Sequence, residues 1–170
     1  SDGKILIGGT FTQLGGADRQ RIGRLDATGA VDASYNPGAD GTIKAMVLHG
    51  DDSMIVAGEL TQLGGQSRER LGRIESSGLI DTNFNPSANA PVSGVEVQGD
   101  GLIVVGRFTA LHEAPRNHVG RLLSNGDLDE GFRPEPAGEV RSFAVQTDGK
   151  ILIGGAFTSL LGQPRNHLAR

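Results

Sequence analysis

Arg24, Arg73 and Arg121 each stand eight residues ahead of an aspartate (Asp32, Asp81 and Asp129), with a glycine turn between them at Gly29, Gly78 and Gly126. Arginine and carboxylate facing each other across a hairpin can share charge-assisted, bidentate hydrogen bonds. Two roles fit: a row of ligand-binding carboxylates, or a pair that holds each repeat together. Identical recurrence in every unit is what the structural role demands, and the three pairs are read that way. A second arginine series, Arg19, Arg68, Arg116 and Arg165, lies ahead of the next strand. Asn117–His118 and Asn166–His167 follow it in two units, Gln20–Arg21 and Glu69–Arg70 in the others. Varied loops on a rigid scaffold are where binding usually resides. Arg68, Arg116, Asn117, His118, Arg165, Asn166 and His167 therefore form the candidate ligand-binding loop, a polar rim for carboxylates or sugars.

Other chemistries find less support. The chain has no Cys, which excludes thiol catalysis, disulfides and cysteine-ligated zinc. His112 and Glu113 lie near His118, but the zinc-protease pair needs His at i and i+4 on a helix, and Pro115 forbids one. Neither a G-x-S-x-G elbow nor a phosphate-binding glycine motif occurs. No catalytic and no metal residue is assigned, and no cofactor is expected beyond a structural Ca²⁺. That ion is suggested by the acidic turns at 38–42, Asp51–Asp52 and 125–131, although turns favour Asp and Asn for their own reasons.

The elements that must position these residues follow from one repeat of about 49 residues, present in three and a half copies. Thr12, Thr61, Thr109 and Thr158 mark its register, and Tyr35, Phe84 and Phe132 recur beside Pro37, Pro86 and Pro134. Each copy reads as short strands. "IKAMVLHG", "VSGVEVQG" and "VRSFAVQT" alternate in polarity, the period of a strand. Hairpin turns are expected at Asp100–Gly101 and Asp148–Gly149. "KILIGG", "SMIVAG" and "LIVVGR" are nearly continuous apolar runs, which implies burial on both faces. A loop follows, then an arginine-bearing strand, a glycine turn and a short outer strand. The pairs Gly8–Gly9 and Gly154–Gly155 suit close approach between units. No stretch has a helical period. The fold class is all-β, an arc of about 3.5 consecutive β-propeller blades with antiparallel sheets, because blades of this size cover one another's apolar faces. The recurring aromatics belong to that core. Residues 1–36 form a partial blade, 43–85 and 92–133 two blades, and 140–170 a second partial blade. The arc is expected to be part of a larger propeller, completed by other blades of the same protein or by another copy of the chain. Ser1 in place of an initiator Met points the same way.

The run DGKILIGG, the FT and L–G positions, the R-(L/I) strand, and Asp followed by an aromatic and Asn-Pro occur in that order in this chain. Together they resemble the delta-60 repeat, also described as the DUF5122 β-propeller family of bacteria. Arg133 departs from the pattern in place of the Asn. The resemblance covers the whole chain and implies a propeller in a secreted or cell-surface protein, with no reaction or ligand to carry over. Net charge is −4, with 16 basic residues spread at repeat spacing, which argues against nucleic acid. No apolar run approaches the roughly 18 residues of a membrane span. His49 and Glu96 alone interrupt the inner strands, too little for an active site. The expected function is a non-catalytic structural or binding module that meets a protein or glycan surface, adhesion-like. A lectin-like propeller and a structural spacer are the alternatives.

Overall fold

A computed structural model describes residues 3–170, and among them every regular element is a strand. The first unit contributes β1 (Ile5–Gly8), the hairpin β2 (Gln13–Leu14) and β3 (Ala17–Asp18), and β4 (Ile22–Leu25). The second holds β5 (Ile43–Leu48), β6 (Met54–Gly58), β7 (Gln62–Leu63), β8 (Gln66–Ser67) and β9 (Leu71–Ile74). The third repeats it as β10 (Val92–Gln98), β11 (Gly101–Gly106), β12 (Ala110–Leu111), β13 (Ala114–Pro115) and β14 (Val119–Leu122). The fourth has β15 (Val140–Val145), β16 (Ile151–Gly155), β17 (Ser159–Leu160), β18 (Gln163–Pro164) and β19 (Leu168–Ala169). The sheets run β5-β6-β9, β10-β11-β14 and β15-β16-β19, with β1-β4 in the first unit, all antiparallel.

The apolar runs of the second and third units become buried middle strands because each is sandwiched between two neighbours. β1 and β16, in the end units, have one neighbour each and stay partly exposed, with Ile5 at 54%, against the two-face burial expected of KILIGG. All five residues of β6 are buried. Met54 and Val56 point back to the first unit and join Ile22, Tyr35, Ile43 and Leu60. Ile55 and Ala57, on the opposite face by the strand period of two, join Phe84, Val92, Leu102 and Phe108. In β11 the same alternation sends Leu102 and Val104 one way, and Ile103 and Val105 the other, onto Val140, Ile153 and Phe157. The core thus lies in three slabs between consecutive units. The close strand approaches between units all involve a first strand, β5, β10 or β15, so these form the inner wall of a propeller arc. The outer edge is a single bridge in each of three units (Leu25 to Val31, Ile74 to Ile80, Leu122 to Leu128) rather than a further strand.

Three expectations change in detail. The Gln98–Gly101 pairing centres the turn on Gly99–Asp100, with Gly99 at φ 58°, and Gly101 opens β11 instead of closing the turn. The segment expected as a loop is a two-residue hairpin (β2–β3 and its counterparts), whose tight turn needs positive φ at both central residues. Gly15–Gly16 and Gly64–Gly65 supply it freely, whereas His112 and Glu113 are held at φ 50° and 64° in the third unit. Of the glycine pairs, Gly8 does face the next unit, where a Cβ would meet Met46 and Ile43. Gly155 instead lies against the Glu139 carbonyl of its own unit.

Candidate functional site

The first arginine series builds stations that join one unit to the next. Arg73 donates Nε at 2.7 Å and Nη2 at 2.5 Å to Asp81, and its Nη1 reaches the Ser124 carbonyl of the third unit at 2.9 Å. Arg24 does the same with Asp32 (2.9 Å from both nitrogens) and the Ser76 carbonyl (2.7 Å). Each guanidinium lies over an aromatic ring, 4.2 Å from the centroid of Tyr35 and 4.8 Å from that of Phe84. The glycine turn of the following unit rests on that ring: a Cβ at Gly78 would stand 3.1 Å from Tyr35, and one at Gly126 the same distance from Phe84. Arg121 pairs with Asp129 at 2.8 and 2.6 Å over Phe132, but its Nη1 turns to Gln98 Oε1 of its own unit. The Ser34 hydroxyl and the Arg24 guanidinium hold the Asp32 carboxyl far below its ordinary value. At Asp81 burial pulls the other way, and the Asn83 amide with Arg73 still brings the carboxyl down.

Tyr35 is the one phenol in this series. Burial pushes it up to about 12, and its buried hydroxyl has no hydrogen-bond partner among the described residues. A buried hydroxyl without a partner costs roughly 1–3 kcal/mol, while Phe fills the same place in the next two stations. Tyr35→Phe is therefore expected to raise stability by about 1 kcal/mol in denaturant titration. A loss of stability would show that the hydroxyl is satisfied in solution.

The expected ligand-binding loop needs correction. Arg68 and Arg116 are buried, at 5% and 3% exposure, and do not stand on a rim. Arg68 donates to the Ser67 and Asp81 carbonyls, Arg116 to those of Pro115 and Glu130, and Arg19 repeats this with Asp18 and Asp32. Each ties the small hairpin to the segment after the glycine turn. Among the described residues Arg165 hydrogen-bonds only to the Pro164 carbonyl, and it is exposed. His118 and His167 take positive φ, and Nδ1 of each donates to the carbonyl of Gly106 or Gly155. Asn117 and Asn166 are exposed. The loop therefore keeps its two Asn-His pairs and Arg165 at the surface. The acidic turns also spend their oxygens locally: Asp40 accepts from Thr61 and Gln62, Asp51 from Ser53, and Asn125 and Asp127 from each other.

Sequence patterns did not reveal a further site. Where each first strand starts, the pairing slips by one residue: between Ile43 and Ala45, Val92 and Gly94, and Val140 and Ser142. The extra residues are Lys44, Ser93 and Arg141. A bulge re-aims the side chain it carries. All three residues line one open cavity of about 280 Å³, together with Pro91, Arg107 and Glu139. Glu139 receives Nε of Arg107 at 2.7 Å on one oxygen and Nε of Arg141 at 3.2 Å on the other, so the third and fourth units are bridged there. The two guanidinium groups hold its carboxyl below the usual range. Beside them Lys44 pairs with Glu59 at 2.7 Å, and Arg70 donates to the Glu59 carbonyl.

The pattern of the family described as "domain of unknown function (DUF5122) beta-propeller" matches residues 1–35, 49–84, 98–132 and 146–170. The chain belongs to this family. No curated protein and no solved structure matches it. Each full DUF5122 match runs from the turn before a middle strand to the aromatic of the station, so the pattern describes the middle strand, the small hairpin, the arginine strand and the Asp–Arg–aromatic set. The first strands lie between the matches. Of the residues lining the inner cavity, only Arg107 falls within a DUF5122 match; Lys44, Pro91, Ser93, Glu139 and Arg141 lie outside. The family pattern describes the frame, and the cavity is written in the stretches that connect it.

Proposed function

We propose that this DUF5122 chain is a non-catalytic binding module of a secreted or cell-surface bacterial protein, and that it holds a partner protein at the mouth on its inner wall. The observation that carries the reading is the convergence of three bulge residues, one from each of three consecutive units, on a single open cavity. The position is the same in each unit and the side chain differs, Lys, Ser and Arg, which is how a rigid repeat presents a specific surface. The charged groups that do recur are engaged in the frame: the Arg–Asp pairs and the inward arginines brace each unit, and Arg24 and Arg73 also reach the next one. A protein partner fits better than a glycan, because no aromatic ring that could stack on a sugar lines this cavity. The placement outside the cell rests on the resemblance of the repeat.

A photo-crosslinking residue at Ser93 tests this in extract and surface fractions of the source organism. A discrete crosslinked protein is expected from Ser93 and not from the same probe at Thr28, on an outer turn. Crosslinking from Thr28 alone, or from neither position, would overturn the reading.

A further inference from the structure

Arg107 and Arg141 are both tied down without being used up. Each spends its Nε on Glu139. Among the described residues, neither terminal nitrogen of either guanidinium donates to a protein acceptor. The side chains are 72% and 69% exposed, so these donors face the solvent of the cavity. The carboxylate that fixes them is shared, so the two planar forks are held side by side across the boundary between the third and fourth units. Lys44 and Ser93 border the same space. Counting the neighbours, four cations (Lys44, Arg70, Arg107 and Arg141) meet two carboxylates (Glu59 and Glu139), although the chain as a whole is acidic. A guanidinium held through Nε keeps its outer nitrogens as a bidentate donor pair that matches a carboxylate or phosphate. Fixing the side chain in advance also lowers the ordering cost of binding.

We infer that this cavity is an oxyanion-binding site, taking a carboxylate or a phosphate group on the terminal nitrogens of Arg107 and Arg141. The inference deepens the proposed function, since it gives the chemistry that the mouth selects. The ligand accepts hydrogen bonds from both forks, while Lys44, paired with Glu59, and Ser93, whose hydroxyl donates to the Val105 carbonyl, border the same space. The bulges explain why the site sits here: without the slipped residue, Arg141 would keep the pleat of β15 rather than turn to the cavity. The carboxylate can come from an acidic side chain of a protein partner, and the phosphate from a small soluble anion.

The 170-residue chain titrated with inorganic phosphate and, separately, with a short Asp/Glu peptide distinguishes these sources by calorimetry. Saturable binding of at least one is expected, on the order of millimolar for so exposed a site. It should weaken as salt is raised. Arg107→Gln and Arg141→Gln should each weaken it about tenfold or more, the scale of losing charged hydrogen bonds, while Lys150→Gln, in the exposed turn at the other end of β15, leaves it unchanged. Peptide binding alone assigns the ligand to a protein carboxylate, and phosphate binding alone to a small anion; both support the site. No saturable binding of either probe overturns the inference, as does binding that survives both substitutions. Should Arg107→Gln disturb the fold in circular dichroism, the edge residue Arg141 carries the test. The outcome is separable from the proposed function. A crosslinked partner at Ser93 without oxyanion binding sinks only the ligand chemistry, and oxyanion binding without a crosslinked protein sinks only the adhesive role.

Discussion

Phe84→Ala should destabilise the chain by about 3–5 kcal/mol, the range for deleting a fully buried aromatic. Phe84 is 0% exposed and sits in the slab between the second and third units, among Ile55, Leu71, Val92 and Leu102. Its ring also underlies the Arg73 guanidinium and supports the turn at Gly126. Removing it opens a cavity, loses the cation–π contact and loosens the Arg73 bond to the Ser124 carbonyl. Phe132 provides the comparison, because it carries the same partner set on its own side, Arg121 and Asp129, yet is only half-buried. Phe132→Ala should cost about a third as much, since less apolar area leaves water and no cavity forms. Both variants are read by urea denaturation with a common slope. Equal losses would mean that the aromatics act within their own units, and the account of the stations as inter-unit staples would fall.

The contrast between those two residues also shows what a sequence can display. The repeat period, the alternation of the first strands and the apolar middle strands point to a propeller because each of these signals is local or strictly periodic. Arg73 and Asp81 lie on one hairpin, so their meeting is a short-range matter. The bond from Arg73 to Ser124, 51 residues away, has no local trace. The small hairpins were hidden because their strands are two residues long, too short for a period, although Gly64–Gly65 between Leu63 and Gln66 is a turn signal in its own right. Arg68 looked like a loop residue because charge suggests solvent. Its burial follows from carbonyls that converge on it from Ser67 and Asp81, and sequence order does not reveal that convergence. The inner cavity was the least legible part. A bulge is an event between two strands, and Lys44, Ser93 and Arg141 share no residue type, so nothing in the repeat pattern marks them.

The closest tolerance in the molecule lies beside those bulges and gives the second large effect. Gly58 ends β6 opposite Ile43, where the first strand begins to slip. A Cβ there would stand 2.0 Å from the Thr42 carbonyl oxygen and 3.0 Å from the Lys44 amide nitrogen. Both are backbone atoms, so no rotamer change can make room; the strand start and its bulge must move. Gly155 meets the Glu139 carbonyl in the same way, at 2.1 Å. Overpacking against fixed atoms usually costs 1–3 kcal/mol, and with contacts this short Gly58→Ala should lie at about 3 kcal/mol. Gly9 is the internal control. It holds the equivalent place in the first unit, yet a Cβ there would meet nothing nearer than Phe11 at 3.5 Å. Gly9→Ala should therefore be nearly neutral in the same denaturation experiment. If the two substitutions cost alike, the glycines serve the chain's flexibility rather than the approach of the first strand. The bulges would then lose their structural anchor, and with it the reason that three unlike side chains face one cavity.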